Sequence, residues 1–289
     1  MVEGLPPTGE GLYWARLEAG LRADIARLDG AAGLCLLDVK GQRRIDINAD
    51  VEFGTASSIK IPVLLTLLRR AEQGELDLAG RRTIAAADQV GGSGILQTFA
   101  DPVELSVRDL ARLMIRYSDN TATNACIDLA GGPAAVNRLM DTLGLQRTRL
   151  RRKMIDWQAA ARGEENVSTP AQMAALMKRF VADGEVLGAA ARQEAIAILS
   201  LPKESPFSIL ARPDMAVADK PGGLEGVKCD VGYFFQARRP YALAVMTSYG
   251  GDDAEPWLRA AARRIAGAMA VLDRTAEGGR RLPAEQLLP

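Results

Sequence analysis

A serine followed three positions later by a lysine, Ser57-Ser58-Ile59-Lys60, stands at the head of the apolar run IPVLLTLL. Two readings fit this spacing: a helix cap followed by a surface lysine, or a serine nucleophile with its own base. If Ser57 opens the helix, Lys60 lies about one turn on, on the same side, within reach of the serine oxygen. The free N–H groups and positive dipole of the helix start would then face a developing oxyanion. Composition bears on the choice. The 289 residues include no histidine, which excludes Ser-His-Asp triads, Cys-His pairs and HExxH zinc sites. A lysine whose pKa is lowered by burial or by a second cation is the main remaining group to take a serine proton. The apolar flank predicts that Lys60 is at least partly buried.

Two more stretches carry chemistry. Ser118-Asp119-Asn120 falls at a break between two helical patterns, where Ser, Asp and Asn all serve as ordinary N-caps, but it supplies a second serine. Lys220-Pro221-Gly222-Gly223 is expected at the end of a strand, before a glycine-containing turn. It reads either as a hairpin loop that needs glycine or as a lysine placing charge across a cleft. In the second case an N–H near Gly223 would be an oxyanion donor beside that of Ser57. The three cysteines, Cys35, Cys126 and Cys229, lie far apart and form no CxxC pair, so no metal site and no cofactor are expected. Cys126 and Cys229 read as buried small residues. Gly91-Gly92-Ser93-Gly94 reads as a plain turn, with no phosphate-loop context.

The elements that must position these groups follow from periodicity. Residues 12–29 read as a helix, with Leu17, Leu21, Ile25 and Leu28 on one face. Residues 33–39 and 43–48 read as strands joined by a turn at Lys40-Gly41. From Ser57 to about Leu201 nearly every segment has helical period, with a capping box from Ser106 to Asp109 and a start at Thr169-Pro170. Strands return at 215–220, 231–237 and 241–249, and a last helix runs from about Ala254 to Met269. Strands at both ends join most simply into one antiparallel sheet, with the terminal helices over one face. The expected fold is therefore α/β (α+β): a discontinuous sheet subdomain of residues 10–56 and 203–275, an inserted all-α subdomain of residues 57–202, and a loose tail at 276–289. A cleft between the subdomains is the natural place for a site.

Acidic and basic residues balance at 36 each, so nothing favours nucleic acid or an anionic membrane surface. The longest apolar runs are too short to span a membrane. The first residues lack the basic and apolar regions of an export signal, which reads as cytoplasmic for the chain as given, or periplasmic or secreted for a mature form. A monomer acting on a small molecule is expected.

In this order and on these elements, the three motifs resemble the S-x-x-K, S-D-N and K-T-G set of the class A β-lactamases and related penicillin-recognising serine hydrolases. The resemblance runs from the first helix to the last. It extends to residues 147–170, which look like that family's omega loop, opened by Thr148-Arg149-Leu150 and closed by Ser168-Thr169-Pro170. It implies a β-lactam, amide or ester substrate. Ser57 would accept the acyl group and Lys60 would help deprotonate it. Ser118 would relay a proton to the leaving group, Asn120 would bond the substrate amide, and Lys220 would hold Ser118 and attract an anionic substrate. Lys228 falls near the position of an arginine that binds the substrate carboxylate.

The chain departs from that pattern at two places. The omega segment has no ExxLN motif; counting back from Ser168 puts Lys153 or its neighbours at the glutamate's place, and Asp156 is the nearest carboxylate and candidate deacylation base. Arg151 or Arg152 would brace the loop, with Asn166 where an aspartate is usual, and Trp157 would pack the loop. Pro221 replaces the Thr or Ser of K-T-G and brings neither a hydroxyl nor an N–H. The expectation is an acylating serine hydrolase with weak β-lactam turnover. The alternatives are a penicillin-binding peptidase or esterase, and a β-lactam-binding domain without turnover.

Overall fold

The computed structural model describes residues 8–276 and 278–283. In chain order the elements begin with α1 (Gly9–Ile25), β1 (Ala31–Asp38), β2 (Arg44–Ile47), β3 (Phe53–Gly54) and α2 (Lys60–Glu72). There follow β4 (Arg81–Ile84), β5 (Val103–Ser106), α3 (Val107–Arg116), α4 (Asn120–Leu129), α5 (Gly132–Thr142) and the short α6 (Trp157–Ala161). The chain then forms β6 (Val167–Ser168), α7 (Pro170–Lys178), α8 (Ala189–Leu199), β7 (Ala216–Leu224), β8 (Val227–Phe235), β9 (Tyr241–Ser248) and α9 (Ala254–Asp273).

Five strands form one antiparallel sheet in the order β2-β1-β9-β8-β7. Period-two alternation sorts its residues into two cores. Leu34, Leu36, Leu243, Val245 and Phe234 face a cluster shared with Trp14, Leu17 and Leu21 of α1 and Leu258, Ile265 and Met269 of α9. On the other face Cys35, Ala218, Ala242 and Ala244 are small, and α7 packs across β9, β1 and β8 there through Met173, Ala174 and Met177. The helical subdomain continues that second core. Its central helix, α2, is buried at every position from Lys60 to Leu68, as expected of a helix that is apolar all round.

Three expectations shift. The helical block is interrupted by two small strand pairs, β3 with β6 and β4 with β5. The Lys220–Gly223 motif lies inside β7 rather than at its end, because β7 is an edge strand where the missing N–H of Pro221 breaks no ladder bond. The hairpin turn moves on to Glu225-Gly226, where Gly226 takes φ +72°. Of the segment expected to be loose, Ala276 and residues 278–283 fold back on the end of α9, with Thr275 bridging Arg281 and Leu282 N bonded to Arg274 O at 2.9 Å. Residues 277 and 284–289 lie outside the described residues, as do residues 1–7, on which much of the export-signal reading rests. Among the described residues, no helix is long and apolar enough to cross a membrane.

Candidate active site

Ser57 sits on a 3-10 turn, Ala56–Ile59, directly before α2. The turn is pinned on several sides. Thr55 N donates to Asn166 O at 2.9 Å, Ser58 Oγ donates to Thr55 O at 2.8 Å, and Cys229 Sγ donates to the same oxygen at 3.0 Å. From the far side β7 passes so close that a Cβ on Gly222 would lie 2.7 Å from Ser57 N and 2.8 Å from Thr55 O. Only glycine fits this approach. Ala56 is held at φ +42°, a conformation that a non-glycine residue keeps only where its surroundings impose it.

One turn into the helix, Lys60 is fully buried. Its Nζ donates to Ser118 O at 2.7 Å, Ser118 Oγ at 2.9 Å and Asn120 Oδ1 at 3.1 Å. Ser118, at φ +53°, turns both its oxygens toward this one amine nitrogen. Burial, and then the nearby Lys220 charge, push the Lys60 pKa well below its ordinary value. Asp119 does not reach the cleft. Its carboxylate accepts from Ala122 N, Ile95 N and Leu96 N at 2.7–2.8 Å, capping α4 and holding the Gly91–Gly94 loop in place. Asn120 also ties down that loop, with Nδ2 donating to Gly91 O at 3.0 Å and N donating to Ser93 O at 3.0 Å.

Lys220 is also buried, and burial lowers its pKa to about 8. Its Nζ donates to Pro221 O at 2.8 Å rather than to Ser118. Pro221 N faces the open edge of β7, and by the period-two rule so does Gly223 N. Behind this strand lies a buried polar cluster. Lys203 pairs with Asp219 at 2.9 Å, Ser208 Oγ donates to Asp219 at 2.7 Å, Ser205 Oγ bonds it as well, and Phe207 N donates to Asp230 at 3.0 Å. These bonds strap segment 203–208 against β7 and β8.

Ser57, Ser118, Lys220, Pro221, Gly222, Gly223 and Lys228 line one cleft of about 280 Å³. Hollows of about 480 and 510 Å³ on the helical subdomain are larger, but they hold no serine–lysine pair.

A model of the beta-lactamase enzyme family matches residues 16–269 of this chain. The chain belongs to that family. It is 32% identical to beta-lactamase AST-1 of Nocardia asteroides over 81% of this chain and 77% of that protein. It is 35% identical to a Stenotrophomonas maltophilia β-lactamase, a match that spans 62% of this chain and 61% of that protein. Among solved structures, a β-lactamase from Sphaerobacter thermophilus superposes with TM-score 0.79 at 30% identity, covering 87% of this chain and 97% of the other. PBP-A superposes with TM-score 0.80 at 25% identity, covering 88% and 96%.

Within this beta-lactamase-like architecture the omega segment stands apart. Asn124, one turn after Asn120 on α4, clamps the backbone of Met154. Its Oδ1 accepts from Met154 N at 2.8 Å and its Nδ2 donates to Met154 O at 3.2 Å. Met154 is 8% exposed, and Ile155, at φ +63°, lies against the Gly91–Gly94 loop, where a Cβ on Gly92 would meet its Cδ1 at 3.3 Å. Asp156 is exposed, caps α6 through Ala159 N at 2.9 Å and does not line the cleft. The structure thus does not bring it to the other site residues. Lys153 turns away to Asp128 at 2.7 Å. The bracing is also redistributed. Arg152 pairs with Glu165 at 2.8 Å, while Asn166 accepts from Arg151 N and Arg152 N and donates to Arg152 O. An amide serves here where an aspartate would not, because one of the three bonds needs a donor. Trp157, expected to pack the loop, is 71% exposed, since α6 is a single exposed turn.

Ser93, from the loop read as a plain turn although it falls where the family has a cleft-rim loop, lines the cleft, and Glu204, Pro206, Glu255 and Arg259 were missed. The i,i+4 spacing of Glu255 and Arg259 was a visible signal; nothing local marked the others.

Proposed function

We propose that this protein is a serine hydrolase that forms an acyl-enzyme on Ser57 and releases β-lactam-derived acyl groups slowly. The observation that carries this reading is Lys60: fully buried, with a lowered pKa, and hydrogen-bonded to Ser118. A neutral Lys60 takes the Ser57 proton as Oγ attacks the carbonyl carbon. The oxyanion forms toward the N–H groups of Ser57 and Gly223. Collapse breaks the C–N bond of a β-lactam or amide, or the C–O bond of an ester, and the proton passes from Lys60 through Ser118 to the leaving atom. Asn120 bonds the acyl side chain's amide, and Lys220 and Lys228 attract an anionic substrate.

Slow release is supported by the omega segment, which has no ExxLN glutamate and whose nearest carboxylate, Asp156, caps α6 instead of lining the cleft. The carboxylates that line the cleft, Glu204 and Glu255, come from other elements. The same feature favours a second reading, in which the physiological substrate is a peptide or ester and β-lactams only acylate. Intact-mass measurement with excess benzylpenicillin tests the acylation step. The expected result is an adduct of one penicilloyl group, absent from Ser57→Ala. An adduct of equal size on Ser57→Ala, or none on the unaltered protein, would overturn the reading.

A further inference from the structure

The cleft carries three cations and two carboxylates: Lys220, Lys228 and Arg259 against Glu204 and Glu255. Lys220 is buried beside the serines. The other two cations, Lys228 on β8 and Arg259 on α9, converge on one group of the protein itself. Glu255 Oε1 accepts both Arg259 Nε at 3.1 Å and Arg259 Nη2 at 2.7 Å, and Glu255 Oε2 lies 3.5 Å from Lys228 Nζ. Glu255 sits in the first turn of α9, where the helix end favours a negative charge. The bond to Arg259 keeps its carboxyl below the usual range, so it is ionised at neutral pH. The neighbouring strand supplies no substitute, because Pro221 has no hydroxyl and Gly223 no side chain. An incoming carboxylate meets cations that already hold one.

We propose that Glu255 is a specificity-determining residue: an internal carboxylate that occupies the anion-binding end of the cleft and weakens the binding of substrates with a free carboxylate relative to neutral ones. This inference rests on the cleft being the substrate site, but not on acyl transfer taking place there. Lys228, Glu255 and Arg259 are all part-exposed, so the contest is between salt bridges of modest strength that salt screens.

The test uses Ser57→Ala protein, which binds without reacting, with and without Glu255→Gln. The probes are benzylpenicillin and its methyl ester, titrated by protein-observed NMR at low and high salt. Glu255→Gln is expected to tighten benzylpenicillin by about five-fold at low salt, to leave the methyl ester unchanged, and to lose most of its effect at high salt. The gain should vanish when Lys228→Gln and Arg259→Gln are added. Equal changes for both probes, no change for either, or no binding of either would overturn the proposal. Failure of the acyl-transfer reading would register separately, as no adduct on protein that retains Ser57.

Discussion

The Lys60 wall of the site and the omega segment, whose residues do not line the cleft, are built to different standards. On the Lys60 wall the positioning bonds are dense: the lysine has three acceptors, the Ser57 turn is pinned from the omega neck and from β8, and Asp119 anchors the rim loop with two bonds and caps α4 with a third. The omega segment is fixed just as firmly by Asn124, yet what it holds there is methionine backbone. Rigid positioning is common to both; under the proposed function only one of them positions a base. On that proposal acylation and deacylation are separable, since the groups for each would reside on different segments.

That contrast can be broken from either side. The largest effect is expected for Lys60→Met, which keeps the volume and removes the amine. Acylation by benzylpenicillin, followed by stopped-flow or mass, should fall by about 10³–10⁴, while circular dichroism remains that of the folded protein. A loss of less than about ten-fold would mean that another group takes the Ser57 proton.

Met154→Glu attacks the omega segment. With Asn124 still clamping the backbone, a carboxylate there should speed loss of the penicilloyl adduct by about 10² and leave acylation within a few-fold. Because Met154 is nearly buried, the change should also cost about 1–3 kcal/mol of stability, read as a lower unfolding midpoint. Unaltered adduct lifetime would show that something besides a missing base limits release.

The pH profile sharpens the comparison at smaller scale. Acylation should rise with pH as Lys60 becomes neutral through its lowered pKa. With a carboxylate substrate it should turn down above about pH 8, where Lys220 loses its charge. The methyl ester should show the rise with a weaker decline. Identical profiles for both substrates would remove Lys220 from anion attraction.

Much of the Lys60 wall was legible in the sequence because its residues come in two short motifs, each with fixed spacing on its own segment. Ser57 and Lys60 are one helical turn apart, and Ser118 and Asn120 flank a helix break. The omega segment was less so. Counting back across a loop of altered length reached Lys153 or its neighbours, and only the Asn124 clamp distinguishes Met154, which is buried, from Lys153, which turns to solvent. Asp156 was attractive as the nearest carboxylate in sequence, but its side chain is spent as a helix cap. The far end of the cleft was hidden for another reason. Glu204 arrives on a strap held by Asp219, and the Glu255–Arg259 pair, visible as an i,i+4 spacing, carries no sign that its helix borders the cleft. Such neighbours are brought together by tertiary packing, which no local period records. Lys220 shows a milder form of the same problem: glycines that read as a turn lie in an edge strand, because Ser57 leaves no room there for a Cβ.

The central prediction is fast acylation of Ser57 followed by slow release. Its most direct test measures both rates on one sample: acylate with benzylpenicillin, remove the excess, and follow adduct and free protein by intact mass. Rapid, stoichiometric modification of Ser57 is expected, followed by an adduct that outlasts its formation by at least about 10²-fold. An adduct released as fast as it forms, with penicilloate accumulating over many turnovers, would contradict that prediction.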